Sequence, residues 1–147
     1  MHLKKIKFFV FLFLFFQHLN HLVSSEYNFA LVKIQDKDIV FEVEIADTKE
    51  KRERGLMFRS ILDENKGMLF ILPEKSFANI WMKNTILSLD ILFISEDNII
   101  VDLLKEASPM SEKIYTSKML VKYILEINAG LIDKAGIKIG DSIKIEY

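Results

Sequence analysis

Four side chains that could take part in binding lie within one apolar stretch of the chain, NIWMKNTILSLDILF, residues 79–93: Trp81, Lys83, Asn84 and Asp90. On a β-strand, Trp81 and Lys83 would share one face, with Asn84 near the strand end. An indole ring beside an amine and an amide suits a sugar ring or an anionic ligand, through stacking and hydrogen bonds. The alternative is structural: Trp81 packs in the core, Lys83 pairs with a carboxylate and Asn84 caps a turn.

Two carboxylates stand in otherwise apolar segments, Asp90 at the start of DILFI and Glu126 within YILEIN. A buried carboxylate without a partner is costly, so an ion pair between Asp90 and Arg54, Arg59 or Lys83 is the structural interpretation. If Asp90 and Glu126 faced one cleft, they could act as a general acid and base, with Arg54 or Lys83 stabilising negative charge. The sequence leaves both interpretations open.

Metal and cofactor sites are not expected. The chain has no cysteine, and its three histidines all precede residue 22, which excludes thiol catalysis, a Ser-His-Asp triad and zinc sites of cysteine or histidine from the remainder. Met57, Met68 and Met82 could offer thioethers to Cu(I), but core packing is the preferred interpretation. Nucleotide binding is disfavoured because the chain lacks a Gly-rich phosphate loop.

The first 25 residues match a secretory signal peptide, with Lys4, Lys5 and Lys7 before the apolar run FFVFLFLFF and a polar stretch ending in Val23-Ser24-Ser25. We therefore expect residues 26–147 to form one exported domain, periplasmic or extracellular. An uncleaved N-terminal membrane anchor is the alternative. Without the leader, 17 basic and 21 acidic side chains leave a formal charge of −4, so nucleic acid is not an expected partner.

Short apolar segments with strand character organise the rest of the chain. Alternating apolar residues predict a strand at 39–46, paired with 28–34 in an antiparallel hairpin. A short N-terminal helix is predicted at 48–54, capped by Asp47 and stopped by Gly55. Further strands are predicted at 67–72, 79–82, 90–95, 99–104, 121–128 and 142–147, with a surface loop at 105–118 and a helical turn near 130–136. These elements predict a mainly β domain, a compact antiparallel sandwich or barrel.

An ordered set of motifs accompanies these elements: RERGLMFR (52–59), GMLFIL (67–72), WMKNT (81–85), LDILFI (89–94), YILEINAG (123–130) and GIKIGD (136–141). In combination and spacing they resemble domain of unknown function 192 (DUF192), a family of small bacterial and archaeal proteins that are often exported. The resemblance covers residues from about 39 to the C-terminus. It implies a compact β-rich fold, and no established activity comes with it.

The leading functional hypothesis from the sequence is a non-enzymatic exported domain that binds a small polar ligand of the cell envelope, saccharide or anionic. Its cleft would be lined by Arg59, Trp81, Lys83, Asn84 and Asp90, because these polar groups concentrate within apolar strands. One alternative is a hydrolase or lyase acting on envelope polymers through the two carboxylates. Another is a structural or assembly partner in the envelope, which requires an exposed apolar patch.

Overall fold

A computed structural model describes residues 27–147, and the predicted signal peptide lies outside the described residues. The described chain forms nine strands and two short helices: β1 (Phe29–Ile34), β2 (Val40–Ala46), α1 (Lys49–Arg54), β3 (Lys66–Ser76), β4 (Asn79–Ile80), β5 (Leu89–Ile94), β6 (Ile100–Ala107), β7 (Tyr115–Thr116), β8 (Val121–Asn128), α2 (Leu131–Ala135) and β9 (Ile143–Glu146). Seven of these strands form one sheet in the order β6-β5-β8-β3-β2-β1-β9, and β4 pairs with β7. No helix among residues 27–147 has the length and apolar character needed to cross a membrane.

The sheet curls so that the segments just before its two edge strands, β6 and β9, contact each other. Ile99 bridges to Ser142, the Ile100 amide donates to the Asp141 carbonyl at 2.9 Å, and the Ile143 amide donates to the Asn98 carbonyl at 2.9 Å. The result is a half-barrel with a separate apolar cluster on each face of the sheet. The predicted fold class, mainly β with short helical elements, is therefore confirmed.

One pair of strands departs from the antiparallel prediction. The β1 and β2 hairpin is antiparallel as predicted, but β2 and β3 run parallel, with Glu42 opposite Lys66 and Ala46 opposite Phe70. Parallel neighbours need a crossover of about a dozen residues or more, and the connection 47–65, which contains α1, provides one. The sequence analysis predicted an antiparallel domain and did not identify α1 as a crossover helix.

Helix α1 ends where the sequence predicted, at Gly55, whose φ of 48° lies in the left-handed region that favours glycine. Its start differs by one residue. Thr48, and not Asp47, is the N-cap, because the Thr48 hydroxyl accepts a hydrogen bond from the Lys51 amide at 3.3 Å. The Asp47 carboxylate pairs instead with the Lys51 ammonium at 3.2 Å.

The predicted surface loop at 105–118 is more ordered than expected, because β6 continues to Ala107 and β7 lies within it. Asp102, fully buried on β6, holds this segment. Its carboxylate accepts hydrogen bonds from the Tyr115 hydroxyl at 2.8 Å and the Lys118 amide at 3.0 Å. Hydrogen bonds between residues this far apart in the chain leave no local pattern in the sequence.

Candidate functional site

The WMKNT motif forms a turn and not the predicted strand, since β4 ends at Ile80. The Thr85 amide donates to the Met82 carbonyl at 3.1 Å, and Asn84 has a left-handed φ of 56°. Asn84 tolerates this conformation better than most residues. Met82 and Thr85 are buried while Trp81 is 45% exposed. The predicted alternation of side chains along this segment is therefore wrong.

Trp81 and Lys83 lie side by side at this turn, whereas the Asn84 side-chain amide faces Met57. The Lys83 ammonium lies 5.1 Å from the centre of the Trp81 ring and 3.8 Å from the Glu112 carboxylate. The Asn84 backbone carbonyl accepts a hydrogen bond from the Phe58 amide at 2.9 Å. Lys83 is thus held at the surface by a cation–π contact and an ion pair.

Asp90 is enclosed in the sheet, with 1% of its surface exposed. Its partners are backbone amides and not the predicted cations: one carboxylate oxygen accepts from the Glu106 amide at 2.9 Å and the other from the Ile132 amide at 2.8 Å. This carboxylate ties β6 and the start of α2 to β5. With both oxygens engaged, Asp90 acts as a structural acceptor for buried N–H groups.

Arg59 lies in a different part of the surface. Its guanidinium makes a two-pronged ion pair with the Glu44 carboxylate and sits 5.9 Å from the centre of the Tyr27 ring. It lines a shallow cavity of about 300 Å³ together with Phe29 and Ile61. The ion pair with Glu44 raises the pKa of Arg59, so this side chain stays charged.

A larger cavity of about 470 Å³ opens between α1, the far end of β3 and the segment around β4. Its size falls in the range of about 300 to 1,000 Å³ common for small-molecule sites. Of the five residues predicted to line a binding cleft, Trp81 alone lines this cavity within the described chain. The main groups that surround it are Arg54, Leu56, Phe70, Phe77, Ile80, Trp81, Thr85 and Glu126.

Glu126 is the buried carboxylate of this cavity, with 6% of its surface exposed. On β8 it lies between Met68 of β3 and Ile91 of β5, both fully buried apolar residues. Its carboxylate has no hydrogen-bond partner among residues 27–147, and burial alone raises its pKa from 4.5 to about 8. At neutral pH the side chain is therefore mainly the neutral acid.

The two carboxylates singled out in the sequence do not share a cleft. Asp90 is opposite Ile127 and Glu126 is opposite Ile91 in the antiparallel pairing of β5 with β8. Residues directly opposite in such a pair point to the same face, while successive residues alternate. Asp90 and Glu126 therefore point to opposite faces of the sheet, and an acid–base pair formed by these two groups has no support from the geometry.

Basic side chains of α1 surround the mouth of the cavity. Lys49 pairs with Glu53 at 2.6 Å, and the Arg52 guanidinium donates to the carbonyls of Asp47 at 2.6 Å and Ile71 at 3.0 Å. Arg54 also lines the cavity and has no ion pair within the described part of the chain. At the mouth, Arg54 is thus the cation that a ligand could pair with.

Metal binding has no cluster of ligands to support it within residues 27–147, where no three His, Asp or Glu side chains lie together. Of the three methionines considered as thioether ligands, Met68 and Met82 pack in the apolar cluster that also contains Phe70 and Ile91. Met57 lines the cavity and faces the Asn84 amide, whose nitrogen lies 4.0 Å from the Met57 sulfur.

Sequence reasoning placed Glu126 and Arg54 together in the hydrolase or lyase alternative only, and it assigned Trp81 to a different site. It missed Phe77 and Thr85, which complete the cavity. One signal was available: Glu126 is the only charged residue in the apolar run YILEI, and a carboxylate within an apolar strand is a candidate site residue.

The chain is similar to a family of proteins that have no assigned activity. The family model DUF192, described as "Uncharacterized ACR", matches residues 30–145. A UPF0127 protein of Thermococcus sibiricus is 40% identical over 106 residues, covering 71% of this chain and 66% of that protein. The chain thus spans slightly less than two thirds of the length of this curated relative.

Two solved structures share the fold. A crystal structure from Sinorhizobium meliloti 1021, named as a candidate transcription regulator, is 36% identical with a TM-score of 0.76, covering 81% of this chain and 95% of that one. A protein of unknown function from Novosphingobium aromaticivorans DSM 12444 is 33% identical with a TM-score of 0.76, covering 83% and 88%. With the family match over nearly all of residues 27–147, the chain belongs to the DUF192 family.

Proposed function

We propose that this protein is an exported domain that binds a small ligand of the cell envelope in the cavity beneath α1. The observation that carries the proposal is the pairing of a cavity of about 470 Å³ with a buried carboxyl, that of Glu126, which has no partner among the described residues. A polar group that is largely buried is costly to keep when the residues around it supply no hydrogen bond, as is the case for Glu126 among residues 27–147. A ligand that supplies the missing hydrogen bond would offset that cost.

The lining of the cavity favours a ligand with an apolar body and one polar or anionic end. Phe70, Leu56 and Ile80 supply apolar walls, and Arg54 lies at the mouth. Trp81, half exposed, provides a ring against which a planar or saccharide group could stack. Arg59, Lys83, Asn84 and Asp90, which the sequence analysis included, lie outside this cavity and are not part of the proposed site.

Ligand binding should raise the midpoint of thermal unfolding, because a ligand that binds only the folded state stabilises it. The test is thermal unfolding of the full chain in mild detergent, with a panel of small envelope sugars and organic anions. Ser76→Phe should reduce any ligand-induced rise, since Ser76 lines the cavity and is exposed. Ser60→Phe is the matched control, an exposed serine outside the cavity.

An equal reduction in both variants, or a rise that neither variant changes, would contradict the proposed site. Export is tested separately by the mass of the protein recovered from a secreting host. Cleavage after Ser25 would leave a chain that begins at Glu26, and an unprocessed chain in the membrane fraction would favour the anchored alternative.

A hydrolase or lyase is a second candidate, because a carboxyl whose pKa is raised to about 8 by burial is suited to act as a general acid near neutral pH. In this version Glu126 alone donates the proton and Arg54 stabilises negative charge on the substrate. Asp90 has no part in it. Release of products from envelope polymers that is lost in Glu126→Gln, while thermal stabilisation by the polymer persists, would favour this candidate over simple binding.

The structural or assembly alternative is favoured by a different observation. Phe29, Leu31 and Ile61 are 57%, 43% and 75% exposed, and Phe29 and Ile61 line the same shallow cavity beside Arg59. Exposed apolar groups of this kind are common at contact surfaces. Concentration-dependent association that Ile61→Ser abolishes would support the assembly role.

A further inference from the structure

The carboxyl of Glu126 forms the polar inner end of the cavity. Its neighbours across the two adjacent strands, Met68 and Ile91, are fully buried and apolar. An ionised carboxylate in this position would lack both a counter-ion and a donor among the described residues, which is strongly unfavourable. The neutral acid carries an O–H group that can donate a hydrogen bond.

Charged groups that face the cavity come from α1 alone among the described residues: Lys49, Arg52, Glu53 and Arg54. No acidic or basic side chain lines the cavity from β3, from β4 or from the turn that contains Trp81 and Thr85. On β8 itself, Glu126 is the one titratable lining residue, and Asp90 of β5 points to the opposite face. Three cations and one anion therefore surround the mouth, which favours entry of an anion over that of an amine.

We propose that the cavity selects small organic anions and that Glu126 meets the inner end of the ligand as a hydrogen-bond donor. Arg54 pairs with the anionic group at the mouth, and a carbonyl or ether oxygen of the ligand accepts from the Glu126 O–H group. The inference rests on the proposed binding function and adds the charge class of the ligand and the protonation state of its partner. It excludes primary amines, which would need Glu126 as a carboxylate.

The proposal predicts that ligand affinity depends on the protonation of Glu126. Since burial raises the pKa of Glu126 to about 8, the acid form dominates at pH 6.5 and falls to roughly 3% at pH 9.5. Affinity for an anionic ligand should therefore decrease about thirtyfold between these two pH values.

The chain has one tryptophan, and because that residue, Trp81, lines the cavity, its fluorescence reports occupancy directly. The experiment titrates the full chain in mild detergent with three probes of similar shape: 3-phenoxypropanoate, its primary amide, and 3-phenoxypropylamine. The first is an anion, the second is neutral and the third is a cation, and all three carry the same ether oxygen. We expect the acid to bind at pH 6.5 at least tenfold more tightly than the amine, with the amide between them.

Two substitutions test whether Glu126 and Arg54 cause this selectivity. Glu126→Gln keeps a hydrogen-bond donor but cannot ionise, so its affinity for the acid should no longer fall between pH 6.5 and 9.5. Arg54→Gln should bring the affinity for the acid close to that for the amide. Glu96→Gln, the same change as at position 126 but on an exposed glutamate outside the cavity, should retain the thirtyfold fall.

The outcomes separate the inference from the function on which it rests. Binding of the amine as tight as that of the acid would show that Glu126 acts as a carboxylate, and would overturn the inference while leaving a binding cavity. An affinity for the acid that does not change with pH in the wild-type protein would overturn the inference in the same way. Failure of all three probes to change Trp81 fluorescence or the unfolding midpoint would contradict the proposed function and the inference together.

Discussion

Glu126→Gln should remove a large pH dependence from the stability of the folded protein. Burial raises the pKa of the Glu126 carboxyl from 4.5 to about 8. Between these two pH values the folded protein keeps the proton on Glu126 while the unfolded chain releases it. The folded state then binds more protons than the unfolded state, so its stability is complete below pH 4.5 and is lost as the pH rises to about 8.

The magnitude follows from the width of this window. One proton changes the free energy of unfolding by about 1.36 kcal/mol for each pH unit, so Glu126 should lower it by roughly 4 to 5 kcal/mol between pH 4.5 and 8. The upper value applies if the cavity stays dry. Water that enters the cavity would solvate the carboxylate and reduce the loss.

The assay is urea unfolding of the wild type and Glu126→Gln at five pH values from 5 to 9, with the difference between the two proteins as the measured quantity. Other titrating groups cancel in that difference, and any cost of the glutamine amide is independent of pH. We expect the variant to gain stability relative to the wild type as the pH rises, by several kcal/mol in total. A difference that stays constant within about 0.5 kcal/mol across this range would refute the buried neutral acid.

Two further substitutions test the geometry around the site. Asp90→Ala should destabilise the protein by about 2 to 5 kcal/mol, because it leaves the buried amides of Glu106 and Ile132 without an acceptor, whereas Asp90→Asn should cost less because its amide oxygen still accepts one hydrogen bond. Equal losses in urea unfolding would contradict this role. Gly67→Ala should lower the free energy of unfolding by about 1 to 3 kcal/mol. A Cβ atom at position 67 would lie 2.5 Å from the Glu126 carbonyl oxygen and push β3 away from β8. An unchanged unfolding midpoint would contradict this contact.

Local patterns were sufficient for most of the secondary structure. Alternating apolar residues identified β2, the run YILEIN identified β8, and Gly55 marked the end of α1, because these features depend on neighbours in sequence. The same approach failed for the WMKNT motif. Its composition resembles that of a strand, but hydrogen bonds from the distant 108–111 segment, such as that between the Met82 amide and the Ser111 carbonyl at 2.8 Å, hold it as a turn.

The sequence predicted the candidate site less well than it predicted the fold. Asp90 and Glu126 are each a carboxylate among apolar residues, and the sequence analysis assigned Asp90, and not Glu126, to the binding cleft. Asp90 proved to be saturated by the amides of Glu106 and Ile132, while Glu126 faces a cavity without a partner among the described residues. Choosing between them requires the pairing of β5 with β8, which decides the face on which each side chain lies.

The sequence by itself determined that the chain folds as a β-rich member of the DUF192 family and that two carboxylates must be accommodated within apolar strands. The tertiary structure decided which of them remains available to a ligand. Side chains alternate along a strand, so the face that a residue occupies depends on which distant strand lies beside it and in which register. The cavity at Glu126 arises only when α1, the end of β3 and the turn at Trp81 are brought over β8.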